Sequence, residues 1–135
     1  DPLPEDLAEP LFLGTDAAAL PLAEGVRDAY GAGASDHLTD ATDGERPTPT
    51  DEPLAGRDVV VVDDVVGTGS TMSGSVAVVA DSDPDRLFAT CVHPVFATGA
   101  LSKIARVGAE SIYGTDTLER VISDVSVAPA LAAAL

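Results

Sequence analysis

At 135 residues the chain is long enough for one domain with both faces of a single sheet covered, and short for two. Hydrophobic residues make up 45%, yet aromatics are only 4% and Trp is absent, so the core must be built from Val, Ala and Leu, which suits a parallel sheet packed by helices. Asp and Glu total 23 against 7 Lys and Arg, and the resulting charge of −16 at pH 7 excludes nucleic acid and anionic membranes as partners.

The acids are scattered between apolar segments and do not run together as a tail. That pattern is expected of a folded domain working in a salt-rich cytoplasm, where screening relieves self-repulsion. The single cysteine, Cys91, cannot pair internally and reads as a core residue in a reducing compartment. No apolar stretch reaches the length of about 18 residues that a membrane span needs.

Taken in order, Leu11 to Gly14 reads as a short strand, and Asp16 as a cap for an Ala/Leu/Val-rich helix over residues 17–30, stopped by Gly31 and Gly33. Residues 39–57 crowd Thr, Asp, Pro and Gly together, and Pro47, Pro49 and Pro53 forbid a regular element, so a flexible loop is expected. Residues 58–64 form the clearest strand: Val59 to Val62, with Val65 beyond the Asp pair, suit a central strand buried on both faces. A helix follows over residues 70–80, weakened by Gly74 and ended near Pro84. Then come a strand over 87–93, a helix over 98–107 stopped by Gly108, strands over 110–113 and 125–127, and a closing helix over 129–135. Strands alternating with helices at this spacing give βαβ units and a parallel sheet.

Chemistry gathers after the valine strand. Asp63 and Asp64 stand at its carboxyl end, and Gly67-Thr68-Gly69-Ser70-Thr71 turns the chain into the next helix. Glycines let several N–H groups converge, the helix N-terminus adds a positive dipole, and Thr68, Ser70 and Thr71 add hydroxyls, an arrangement that suits a phosphate. The Asp pair repels phosphate but can accept hydrogen bonds from a diol, directly or through Mg²⁺. Phosphate at one end and diol at the other describe a ribose 5-phosphate. A P-loop would need a lysine here, and a dinucleotide fingerprint would need Gly where Met72 stands.

Asp-Asp-x-x-x-Thr-Gly-x-Thr after a hydrophobic strand resembles the phosphoribosyl diphosphate motif of type I phosphoribosyltransferases and of ribose-phosphate diphosphokinases. Three further stretches resemble the diphosphokinases: 89–96 with His93 after a strand, Tyr113-Gly114-Thr115-Asp116-Thr117, and Val125-Ser126-Val127-Ala128-Pro129 before the closing helix. The resemblance covers nearly the whole chain but matches the carboxyl-terminal half of that enzyme. It implies an α/β fold of the phosphoribosyltransferase type, one domain of a longer two-domain protein, and assembly into a homo-oligomer. It also implies transfer of diphosphate from ATP to ribose 5-phosphate with Mg²⁺. Carried over by position, Gly67, Thr68, Gly69, Ser70 and Thr71 hold the 5-phosphate, and Asp63 and Asp64 hold the ribose hydroxyls and a divalent cation. Asp16 lies in the loop that meets the diphosphate and its metal.

The chain also departs from the pattern. The family's charge-stabilising Lys and Arg, two residues apart, align with Asp40 and Thr42, and Ala17-Ala18 replaces a residue followed by Gly in the diphosphate loop. These changes keep open a catalytically disabled homologue that binds ribose phosphates and serves regulation or assembly. A transferase consuming phosphoribosyl diphosphate is a further alternative, though no aromatic-rich segment offers to hold a base. His93 reads as a ligand contact or as a hydrogen-bonded structural group, His37 as a solvated surface residue, Lys103 and Arg106 as a surface pair, and Asp116 as a turn or cap.

Overall fold

The computed structural model describes residues 3–39, 52–118 and 120–134. Within them six strands form one wholly parallel sheet: β1 (Leu11–Gly14), β2 (Ala34–His37), β3 (Asp58–Val66), β4 (Arg86–Pro94), β5 (Ser111–Thr115) and β6 (Ser123–Val125). The helices are α1 (Leu20–Tyr30), α2 (Ser70–Ala80), α3 (Ala100–Arg106) and α4 (Ala128–Ala134), with a 3-10 turn at Ala17–Ala19 leading into α1. The α/β parallel architecture expected from the alternation of elements is the one observed.

The strand order is β2-β1-β3-β4-β5-β6. From β1 the chain winds outward to β2, then returns to β3 beside β1 and winds the other way. Right-handed crossovers in opposite directions put their helices on opposite faces. Thus α1 covers one face, with Phe12, Ala23, Val60, Val62 and Phe88, while α2 and α3 cover the other, with Val59, Val61, Met72, Val76, Val79 and Ile104. The four successive valines of β3 feed both layers alternately and are at most 1% exposed. Each stabilises the fold by roughly 1.5 kcal/mol or more through burial. Cys91 is buried in the α2–α3 layer, and desolvation pushes its thiol up to about 12, which leaves it unreactive.

At the amino end of the sheet, Asp58 is nearly fully buried. It accepts from the Ala8 N–H at 2.8 Å and from Arg86 Nη2 at 2.7 Å and Nε at 3.1 Å. Burial alone would raise its pKa, but the Arg86 guanidinium and the Ala8 amide together hold it below the usual value. Tyr30 ties the leading segment down, donating to the Pro4 carbonyl and accepting from Leu7 N–H.

Several boundaries differ from those the sequence suggests. Residues 34–37 form β2, a half-buried edge strand paired to β1, so Asp36 and His37 belong to a strand and not to the loop after it. His37 is accordingly not a freely solvated residue, since its ring bonds the Leu38 carbonyl at 2.9 Å. The valine strand runs two residues beyond Asp64, to Val66, and the last strand lies at 123–125 instead of 125–127. Most of the Pro-rich stretch, with Asp40, Thr42 and Arg46, lies outside the described residues. Its described end, 52–57, is irregular but anchored: Leu54 is buried, and Arg57 binds Glu52 and the carbonyls of Glu9 and Pro53.

Candidate functional site

In an open parallel sheet, the carboxyl ends of two adjacent strands whose connections diverge leave a crevice that no crossover covers. Here that switch point falls between β1 and β3. It brings together the two segments singled out in the sequence: the Thr15–Asp16 turn after β1 and residues 63–71 after β3. The Thr15 N–H donates to the Val62 carbonyl at 3.1 Å, so the two loops start from bonded neighbours.

Local chemistry explains each loop. Asp16, extended in backbone, accepts from the Ala19 N–H at 2.9 Å and caps the 3-10 turn, as its sequence position suggests. Ala17 and Ala18 follow, exposed, on that turn. After β3, Gly69 stands at φ +84° at the head of α2, where no side chain caps the helix. Of the first amides of α2, that of Ser70 goes to Thr68 and that of Ser73 to the Gly69 carbonyl, which leaves those of Thr71 and Met72 at the cavity. Gly67 to Thr71, with Asp63 and Val66, line a polar cavity of about 80 Å³, a volume on the scale of one phosphate group. Thr68 Oγ1 accepts from the Ser70 N–H at 3.3 Å and donates to Ser70 Oγ at 3.2 Å, which links the hydroxyls of the turn.

Asp63 is 8% exposed, whereas Asp64 is exposed. Asp63 Oδ1 accepts from the Asp64 N–H at 2.8 Å, and Asp64 Oδ1 from the Val65 N–H at 2.8 Å. Burial first, then the neighbouring Asp64 carboxyl, raise the Asp63 pKa to about 6, and the Asp64 amide only partly offsets them. Thr15 lies close enough to favour the charged form, although its buried hydroxyl makes no hydrogen bond of ordinary geometry. No described cation neutralises the Asp pair through an ion pair. Among the described residues no three carboxylate, imidazole or thiol groups converge, so Asp16 is not drawn into a common ligand set with Asp63 and Asp64.

The ends of β4 and β5 are laced to each other by side-chain bonds. Thr115 and Thr117 hydroxyls both donate to the Val92 carbonyl, and His93 Nδ1 lies 3.0 Å from Thr117 Oγ1. His93 is thus a partner within this lacing. Asp116 accepts from the Val127 N–H at 2.8 Å, and that bond together with Ser126 holds its pKa low. It acts as the clasp between β5 and the segment that enters α4. A second and larger cavity, about 370 Å³, opens on the α1 face among Leu22, Val26, Val62 and Val92 and meets the first at Asp63. Its lining is mostly apolar and offers fewer groups that could orient a ligand than the smaller cavity does.

Three participants escape sequence reasoning. Thr15 is one. The β4–α3 loop is another: Phe96 sits at φ +43° and donates its N–H to Val66 O at 3.0 Å, while Ala97 donates to Gly67 O at 2.9 Å. A bulky residue in the left-handed region is strained. The third is Lys103, exposed as the sequence reading has it, but with its Nζ 3.3 Å from Ser70 Oγ, a contact that reading does not contain.

No protein-family model matches the chain. Among curated proteins it is 51% identical over 137 aligned positions to the ribose-phosphate pyrophosphokinase of Halobacterium salinarum, covering 99% of this chain and 48% of that protein. It is 33% identical over 129 positions to the enzyme of the same name from Methanothermobacter thermautotrophicus, covering 93% of this chain and 45% of the other. The chain therefore spans about half the length of the curated relatives it matches. Among solved structures, phosphoribosylpyrophosphate synthetase from Mycobacterium smegmatis superposes with a TM-score of 0.77 at 22% identity, over 96% of this chain and 44% of that one. A purine phosphoribosyltransferase from Pyrococcus horikoshii shares the fold at a TM-score of 0.56 and 16% identity, over 80% of this chain and 71% of the other. With a phosphoribosyltransferase-type fold, the chain is similar along nearly all of its own residues to about half of a ribose-phosphate pyrophosphokinase.

Proposed function

We propose that this chain is the carboxyl-terminal, ribose 5-phosphate-binding domain of a longer ribose-phosphate diphosphokinase, which transfers diphosphate from ATP to the ribose 1-hydroxyl. The observation that carries the reading is the meeting, at one switch point, of a small polar cavity rimmed by Gly67 to Thr71 and a carboxylate pair that no described cation bridges. The amides of α2 and the hydroxyls of Thr68, Ser70 and Thr71 would bind the 5-phosphate. Asp63 and Asp64 would accept from the ribose hydroxyls and fix the sugar's position relative to the phosphate. The turn at Asp16 borders the same crevice and would meet the diphosphate.

The Asp pair also fits a divalent cation. Two crowded carboxylates, one with its pKa raised by burial and by the other, gain from a shared positive charge, and Mg²⁺ commonly takes one or two carboxylates plus ligand oxygens and water. When bound it supplies charge stabilisation for the ribose oxygens and the transferred group. The acidic surface and the buried Cys91 support a reducing, cytoplasmic setting without nucleic-acid or membrane partners, and the family resemblance supports a homo-oligomer. No described helix is long and apolar enough to cross a membrane.

Calorimetric titration of ribose 5-phosphate into the intact protein in molar KCl, with and without Mg²⁺, tests the site. Saturable binding that Asp63→Ala or Thr71→Ala abolishes, with turnover once ATP is added, is the expected result. Absence of binding at every salt level would sink it. Binding without turnover would point to the Asp40–Thr42 stretch, and the restored pair Asp40→Lys with Thr42→Arg would then be assayed for gained activity.

A further inference from the structure

Lysine occurs once in the chain, at position 103. Arg27, Arg57 and Arg86 are each held by a carboxylate, from Asp28, Glu52, and Asp58 with Asp6 respectively. Lys103 differs: its Nζ reaches a hydroxyl of the candidate phosphate loop, Ser70 Oγ, at 3.3 Å. The approach is set by packing. A Cβ on Gly69 would stand 3.1 Å from the Cα and carbonyl oxygen of Ala100, so α3 is seated directly against the turn. The backbone bonds from Phe96 to Val66 and from Ala97 to Gly67 hold the segment before α3 in place. Lys103 then lies one turn into α3, on the side facing Ser70.

A serine hydroxyl has two lone pairs and one proton. Ser70 Oγ accepts from Lys103 and from Thr68, so both lone pairs are engaged and its proton is left to donate. Ser70 lines the small polar cavity, so that proton is available to whatever acceptor enters it. We propose that Lys103 positions Ser70 as a donor and is itself a cation available to the phosphate of a bound phosphate monoester, reaching the loop from the neighbouring helix. This rests on the ribose-phosphate reading of the loop. It adds to that reading the requirement that a charged side chain from α3 assists the amides and hydroxyls of α2.

The test is calorimetric titration of ribose 5-phosphate, with ribose as the uncharged control, into the intact protein and its Lys103→Ala and Lys103→Arg variants at several pH values. Lys103 is exposed, so neither variant threatens the core. The expected result is a loss of about tenfold in affinity for Lys103→Ala, recovered to within about threefold by Lys103→Arg, as for a charge-assisted hydrogen bond. The unaltered protein should also gain affinity as the monoester loses its second proton near pH 6, and the alanine variant should gain less. Equal affinity in Lys103→Ala would overturn the role of Lys103 and leave the loop reading intact. A loss shared equally by Lys103→Arg would assign the effect to packing and overturn it as well. No ribose 5-phosphate binding by the unaltered protein would remove the loop reading and this inference together.

Discussion

At Asp63 the proposed function and stability pull in opposite directions. Its folded pKa, about 6, lies above the ordinary carboxylate value because it is buried beside Asp64. A raised pKa means that the folded state holds the proton more tightly than the unfolded chain does. The stability it contributes is full below the unfolded value of 3.8 and is lost as pH rises through about 6. Asp63→Asn should therefore match the unaltered protein near pH 4 and exceed it at pH 8 by on the order of 1–2 kcal/mol, read from urea titrations at both pH values. The same variant should bind ribose 5-phosphate at least tenfold more weakly, losing a charged acceptor for the ribose hydroxyls. Greater stability with poorer binding would mark the strain as functional. Equal stability at pH 8 would mean that the crowding costs nothing.

At the scale of elements, the two glycines of the β3–α2 unit do different things. Gly69 occupies a left-handed conformation with α3 packed against it, so Gly69→Ala should cost about 1–3 kcal/mol and weaken ligand binding by moving the turn. Gly74 lies inside α2 with open space where a Cβ would be, and Gly74→Ala should stabilise the fold by about 0.5–1 kcal/mol without altering binding. Paired urea melts and titrations of the two variants check both statements. Elements with strong local signals, such as the valine strand and the capped segment after Asp16, are readable from their own residues. β2 is not. Ala34-Ser35-Asp36-His37 has neither β-branched residues nor clean alternation, and it is a strand because β1 offers its backbone as a partner.

For the whole molecule the dominant quantity is the charge of −16. With 7 basic side chains against 23 acids, most of the acids are left to repel one another over the surface even where Arg27, Arg57 and Arg86 engage carboxylates. Salt screens such repulsion. The thermal midpoint should rise by roughly 10 °C between about 0.1 M and 3 M KCl, followed by circular dichroism. A midpoint indifferent to salt would show that the acids are already compensated within the fold. Helix α4 buries none of its residues and leaves Leu131 exposed, so it contributes little to the core of these 135 residues.

The sequence by itself determined the class of fold, the position of the central strand and the residues that the turn after it offers. Each of these rests on neighbours within about a dozen residues: a valine run, an Asp pair, glycines before hydroxyls. Tertiary structure decided what no local window contains. The switch point between β1 and β3 sets the Asp16 turn beside Asp63, the packing of α3 on Gly69 brings the exposed Lys103 to Ser70, and the buried side of Asp63 shifts its titration. The physical reason is range: backbone propensity and capping act over a turn or two, whereas burial, charge and close contact depend on which distant segments the sheet order makes neighbours.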